Sequence, residues 1–134
     1  MFEFRLRTYW ADADRAGIVF YPNYYRFLEQ AEEELFLASG VDRLKLLLEN
    51  HVWMPRVETF AKFVRPIPLG AAVRIRLHPQ FQGDRTVRYD FVFLDDPGVE
   101  KIAEGYVTVV CVDDTHFRAT PIPQPIRAAI QRAL

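Results

Sequence analysis

Tyr9-Trp10-Ala11-Asp12-Ala13-Asp14-Arg15-Ala16-Gly17-Ile18-Val19-Phe20-Tyr21-Pro22-Asn23-Tyr24-Tyr25 is the stretch from which the rest of the chain can be read. A strand-like segment with Phe2, Phe4, Leu6 and Tyr9 leads into it. Two carboxylates, Asp12 and Asp14, and a turn-forming Gly17 precede Pro22, which suits the first turn of a helix because its missing N–H costs nothing there. An acid held in a loop beside the amino end of a helix lies next to a ready-made site for developing negative charge. Such a pairing can build a hydrolytic centre without histidine, serine or metal.

Downstream, Tyr24, Phe27, Leu28, Ala31, Leu35 and Ala38 recur at three- and four-residue steps, predicting a helix over Pro22–Ser39. Glu29, Gln30, Glu32, Glu33 and Glu34 fall on its other face, and Gly40 supplies the stop. Asp42 is placed to cap a short second helix, Arg43 to Asn50. The period then changes to two. Trp53–Val64, Ala71–Phe81, Arg85–Leu94 and Glu100–Val112 read as strands, and Gly83-Asp84 and Asp95-Asp96-Pro97-Gly98 supply hairpin turns between the last three. Pro121, Pro123 and Pro125 break the chain, and Ile126–Leu134 reads as a final helical turn or two.

The order strand, long helix, short helix, then four strands in meander is an α+β layer pattern. Only the long helix is apolar enough to cover one face of a five-stranded antiparallel sheet. A single helix on a single sheet leaves strand edges open, so pairing with a second copy is expected.

The chain has 134 residues, which suits one domain over 1–134 with a core of its own. Half of the residues are apolar and 26% are charged, an ordinary globular balance. A formal net charge of −1 gives no electrostatic footprint for nucleic acid or for an anionic membrane. The one cysteine, Cys111, lies in the apolar run Val107–Val112 and reads as a buried strand residue in a reducing compartment. No stretch is long and apolar enough for a membrane span, and no leader pattern is visible, so a cytoplasmic location is expected.

The motif Asp12-Ala13-Asp14-Arg15-Ala16-Gly17-Ile18-Val19-Phe20-Tyr21-Pro22-Asn23-Tyr24 resembles the signature of hotdog-fold acyl-CoA thioesterases of the 4-hydroxybenzoyl-CoA thioesterase type. Phe63-Val64-Arg65-Pro66-Ile67-Pro68-Leu69-Gly70 resembles that family's strand ending in a Pro-rich turn. The resemblance implies a sheet curled around its long helix. It also implies edge-to-edge dimers with active sites at the interface, and tetramers built as dimers of dimers. Residue by residue, Asp14 matches the catalytic carboxylate, the Tyr21 backbone N–H matches the donor that polarises the thioester carbonyl, and Gly17 matches the turn between them.

A thioester is a favourable target for so sparse a site. Sulfur donates poorly into the carbonyl, and a thiolate leaves without strong acid help. An aspartate is ionised at neutral pH and can attack the carbonyl or activate a water, and the sequence leaves both open. Removing one oxyanion donor typically costs about 10²–10³ in turnover. Asp14 taken alone equally fits a turn or capping residue. Asp12 and Asn23 read as shaping the loop. Tyr24 and Tyr25 read as core and interface aromatics, with Tyr24 the candidate to line an acyl pocket. Arg85, Thr86 and Arg88, just after the Gly83-Asp84 turn, are candidates for the coenzyme A nucleotide, although strand-end arginines are commonly solvated. Glu58 is a reserve acid, more simply a solvated strand residue.

His51, His78 and His116 show no metal or nucleophile–base spacing, and no metal or cofactor is expected beyond the coenzyme A of the substrate. Dehydration of a 3-hydroxyacyl thioester would want a histidine at the helix entry, and none is there. Two readings follow: an enzyme hydrolysing acyl-CoA, or a non-catalytic acyl-CoA or acyl-lipid binding module. Asp14 separates them, since a binding module has no need of a carboxylate beside the thioester.

Overall fold

The computed structural model describes residues 1–134. Its elements, in chain order, are β1 (Phe2–Arg7), a 3-10 turn (Trp10–Asp12), α1 (Asn23–Ala38), α2 (Arg43–Glu49), β2 (Val52–Trp53), β3 (Arg56–Phe63), β4 (Ala72–Gln82), β5 (Thr86–Asp95), β6 (Lys101–Val110), β7 (Val112–Asp113) and α3 (Gln124–Arg132). The main sheet has five antiparallel strands in the order β1-β4-β5-β6-β3, and β2 pairs with β7 apart from it.

Alternation decides which face of this sheet is covered. Val73, Ile75 and Leu77 of β4 and Val87, Tyr89, Phe91 and Phe93 of β5 are buried, while Arg74, Arg76, Arg88 and Asp90 point the other way. Against the buried face lies the apolar stripe of α1, with Tyr24, Phe27, Leu28, Ala31, Leu35 and Phe36 in the same core cluster. Each such large side chain contributes roughly 1.5–3 kcal/mol on burial. Ile126, Ala129 and Ile130 of α3 join this core, making α3 more than the turn or two expected.

The four-strand meander needs correction. β4, β5 and β6 follow one another as hairpins, but β3 does not pair with β4; it lies at the far edge beside β6, with β1 against β4. The chain between β3 and β4 therefore crosses the end of the sheet, and Pro66, Pro68 and Gly70 lie in that crossing, where Gly70 adopts φ 81°. Two strands are also shorter than their apolar runs. Pro55 separates β2 from β3, and the chain leaves the main sheet at Cys111, whose N–H donates to the Arg85 carbonyl. Gly105 permits the close β3–β6 approach: a Cβ there would fall 1.9 Å from the Phe60 carbonyl oxygen.

The two sheet edges differ. β1 carries Glu3, paired with Arg76 at 2.7 Å and Arg74 at 3.1 Å, and Arg5, paired with Asp96 at 2.6 Å. On and just past β3, Val57, Phe60, Phe63 and Val64 remain exposed. No helix is long and apolar enough to cross a membrane.

Candidate active site

The loop joining β1 to α1 is held at every turn. Asp12 is buried; its Oδ2 accepts the Tyr9 N–H at 2.8 Å and its Oδ1 pairs with the Arg26 guanidinium. Its carbonyl accepts the Phe20 N–H at 2.8 Å and the Asn23 side-chain amide at 2.9 Å. Asp12 and Asn23 thus tie the loop to the first turn of α1. The Asp14 N–H donates to the Ile18 carbonyl and the Gly17 N–H to the Asp14 carbonyl, closing a tight turn that needs Gly17 at φ 77°. A second loop buttresses the first: the Leu69 N–H donates to the Gly17 carbonyl at 3.0 Å and the Val19 N–H to the Ile67 carbonyl at 2.9 Å. The two stretches that carry the family resemblance therefore meet in space.

Asp14 is exposed at the tip of this loop. Its Oδ1 accepts the Ala16 N–H at 2.8 Å, and its Oδ2 makes no hydrogen bond. At the helix entry the backbone donors sort themselves by elimination. Phe20 donates to Asp12, Asn23 to the Phe20 carbonyl, Tyr24 to the Tyr21 carbonyl and Tyr25 to the Pro22 carbonyl. Pro22 has no N–H to give. The Tyr21 N–H is left without an acceptor in the chain, at the positive end of a sixteen-residue helix. The loop and helix start thus present one open carboxylate oxygen and one open backbone donor.

A family model described as the thioesterase-like superfamily matches residues 8–130. The chain belongs to that superfamily. A 1,4-dihydroxy-2-naphthoyl-CoA hydrolase from Thermosynechococcus vestitus is 26% identical over 132 residues, 98% of this chain and 89% of the relative. The structure named gentisyl-coenzyme A thioesterase BH1999 superposes with a TM-score of 0.81 at 28% identity, covering 93% of this chain and 98% of that one. Slr0204 from Synechocystis, a 1,4-dihydroxy-2-naphthoyl-CoA thioesterase, gives a TM-score of 0.90 at 20% identity over 97% of this chain and 95% of its own. The fold of this thioesterase-like chain is accordingly the hotdog fold.

The remaining sequence candidates are scattered within the protomer. Tyr24 is buried in the core, its ring centroid 4.9 Å from that of Phe63 and 5.2 Å from that of Phe93. Tyr25, next along, lines a cavity between α1 and the sheet. Arg85, just before β5, and Thr86 and Arg88 at its start lie at the opposite end of the sheet from the Asp14 loop. β4 spans that length with eleven residues, roughly 3.3 Å each. Arg88 stacks on Tyr106 with its guanidinium carbon 3.9 Å from the ring centre, and its Nε donates to Asp90 at 2.9 Å. Arg85 is more open, with Asp84 at 3.7 Å. Glu58 lies on β3 beside Tyr106, away from the loop. No three His, Cys, Asp or Glu side chains converge to hold a metal ion.

The structure also reveals a charged group that the helical pattern had assigned to the solvent face. Glu32 is buried, bridged by Arg56 and by Arg43, the latter at 3.2 Å. Burial pushes its carboxyl up, against the pull of the two guanidinium groups. Its register was the available signal: Glu32 stands four residues after Leu28 and four before Phe36, inside the apolar stripe.

Proposed function

We propose that this chain hydrolyses acyl-CoA thioesters to a free carboxylic acid and coenzyme A, with Asp14 as the reacting carboxylate and the Tyr21 N–H as the oxyanion donor. The observation that carries the reading is the one open backbone donor at the helix entry, on the same loop as the open Asp14 oxygen. As the thioester carbonyl becomes tetrahedral, its oxygen gains negative charge, and a fixed N–H at a helix start stabilises that charge without reorganising. Attack by Asp14 would form a mixed anhydride and expel the thiolate, after which water releases the acid and restores the carboxylate. In the alternative route Asp14 takes a proton from water as that water attacks the carbonyl carbon.

The working unit in this proposal is a dimer paired through β3. That strand runs from Arg56, level with the start of β5, to Phe63, level with its end. Antiparallel pairing of β3 with its own copy sets the Arg56 end of one chain beside Phe63 of the other. Tyr21 sits against Phe63, with ring centroids 6.3 Å apart. The β5 start of the partner, with its Arg85, Thr86 and Arg88, then comes to the same end as this Asp14 loop. Arg85 is the best placed of the three to meet phosphate, since the Arg88 guanidinium is already engaged. The named relatives act on hydroxylated aromatic acyl-CoAs, and an aromatic acyl group is the class proposed here.

The test is thiol release from a panel of aromatic and aliphatic acyl-CoAs by the wild type and by Asp14→Asn. Turnover of an aromatic acyl-CoA that collapses in the variant is expected. Equal rates in the two proteins would remove Asp14 from the chemistry. Binding of acyl-CoA without turnover by the wild type would favour a binding module.

A further inference from the structure

Three arginines of this chain stand over aromatic rings. Arg26 covers Phe27, Arg88 covers Tyr106 and Arg127 covers Phe81, with guanidinium carbons 4.9, 3.9 and 4.1 Å from the ring centres. Two of them are neutralised where they lie, Arg26 by Asp12 and Arg88 by Asp90 at 2.9 Å. Arg127 is paired with no carboxylate, and its Nη2 makes one long bond, 3.4 Å, to the Gly83 carbonyl. A ring under a guanidinium fixes its place and leaves N–H donors at its edge. Half-buried, held in position and without a counter-ion, Arg127 is prepared for an anion.

The fold fixes where that charge stands. α3 is anchored in the core by Ile126, Ala129 and Ile130, and just before it the Ile122 N–H donates to the Asp84 carbonyl at 2.7 Å. Arg127 thereby meets the β4–β5 turn that ends in Arg85. Arg85 is itself exposed, and its neighbour Asp84, at 3.7 Å, is exposed too, so solvent screens the pair. Alternation along β5 puts Arg85 in phase with the covered residues Val87 and Tyr89, and Thr86 and Arg88 on the outer face. Phe81, beneath Arg127, pairs with Val87, Val87 with Val109 and Val109 with Arg56, so the four form one row near the end of the sheet. In the β3-paired dimer this row continues to Phe63 of the partner subunit, and Tyr21 sits against Phe63 within each chain. Four strand spacings, about 19 Å, separate Phe81 from that Phe63. The pantetheine arm and pyrophosphate of coenzyme A form a chain of that reach.

We infer that Arg127 binds the 3′-phosphate of a coenzyme A whose thioester lies at the helix entry of the other chain, with Arg85, one strand nearer, on the pyrophosphate. Arg127 is then a specificity-determining residue that selects coenzyme A over its 3′-dephospho form. The inference rests on the thioesterase reading and on the β3 pairing above, and it brings the C-terminal helix into the site. A terminal phosphate carries more charge and more free oxygens than the diester it hangs from, which suits the two-pronged donation of a fixed guanidinium.

The test titrates coenzyme A and 3′-dephospho-coenzyme A, neither of which has a thioester to cleave, into the wild type and Arg127→Gln by calorimetry. The wild type is expected to bind coenzyme A about tenfold more tightly than the dephospho form, a ratio that shrinks as salt is raised. Arg127→Gln should bring the ratio to about one by weakening coenzyme A alone. Arg127→Met, whose stem can still cover Phe81, repeats the measurement should the glutamine variant not fold. A wild-type ratio near one, or a ratio that the neutral variants leave unchanged, overturns the assignment. Hydrolysis of 4-hydroxybenzoyl-CoA and benzoyl-CoA is followed separately: failure to cleave either one refutes the thioesterase reading, while the binding ratio still decides the role of Arg127.

Discussion

Asp14 turns one carboxylate oxygen onto its own loop, where Oδ1 accepts the Ala16 N–H at 2.8 Å, and leaves Oδ2 without a hydrogen bond. The two oxygens thereby divide two tasks, one holding the turn and the other facing outward. Asn at this position keeps an acceptor for Ala16 and loses the negative charge. Asp14→Asn should therefore retain the melting temperature of the wild type while turnover falls by about 10²–10⁴. Asp14→Ala should lose both turnover and some loop stability. Thiol-release kinetics beside thermal denaturation check the pair.

Asp12 has the opposite character. It is buried, bonded to the Tyr9 N–H and paired with Arg26, whose side chain is half exposed. Solvent around Arg26 weakens the ion pair, so the larger loss on Asp12→Ala comes from the unmet Tyr9 N–H and the unpaired guanidinium. Destabilisation of about 1–3 kcal/mol is expected in urea unfolding, with reduced turnover because the loop carrying Asp14 loses its anchor. Unchanged stability would show that the backbone contacts of Asp12 and Asn23 hold the loop unaided.

The parts of this molecule governed by local pattern were legible in the sequence. The stripe of α1, the Asp42 cap that accepts the Lys45 N–H and the β4–β6 hairpins all depend on spacing within a few residues. The place of β3 was not legible, because strand order is set by long-range pairing and β3 reads alike at either edge. The Glu32 cluster escaped for a similar reason: its partners Arg43 and Arg56 lie on other elements, and acid in a helix is ordinarily solvated. The open Tyr21 donor depends on which neighbouring amides are satisfied, which only the folded loop determines.

Acid should destabilise the protein through two carboxylates at strand ends that cap the turns following them. Asp95 accepts the N–H groups of Gly98, Val99 and Glu100, and Asp113 those of Thr115, His116 and Arg118. These donors hold both carboxyls below the ordinary value of 3.8. With folded values below the unfolded ones, their stabilisation is present above about pH 4 and is lost as pH falls through the folded values. The melting temperature should fall below that point. Asp95→Asn combined with Asp113→Asn should flatten the acid limb and lower the neutral-pH value.

The proposed pairing through β3 predicts a particle of at least twice the 15.7 kDa protomer. Val57 and Val64 are 58% and 49% exposed, on and just past the open edge. Lysine at an edge opposes strand addition, so Val57→Lys with Val64→Lys should shift the protein toward the protomer mass in light scattering and lower activity with it. A wild type that runs as a monomer at assay concentration, with full turnover, would remove the dimer from the mechanism.

Cys111 bears on how all these rates are measured. Its side chain is fully buried, and burial pushes the thiol up to about 11. Only thiolate reacts with a disulfide reagent, so at neutral pH both access and ionisation oppose the reaction. The folded protein should release no colour from Ellman's reagent over the course of an assay, and one equivalent per chain in guanidinium. Thiol counted during turnover is then coenzyme A alone. Prompt labelling of the folded chain would mean that the segment around Cys111 opens on the assay timescale, breaking the bonds that hold it: the Val110 N–H to the Pro55 carbonyl, the Cys111 N–H to the Arg85 carbonyl, and the Thr120 N–H to the Cys111 carbonyl.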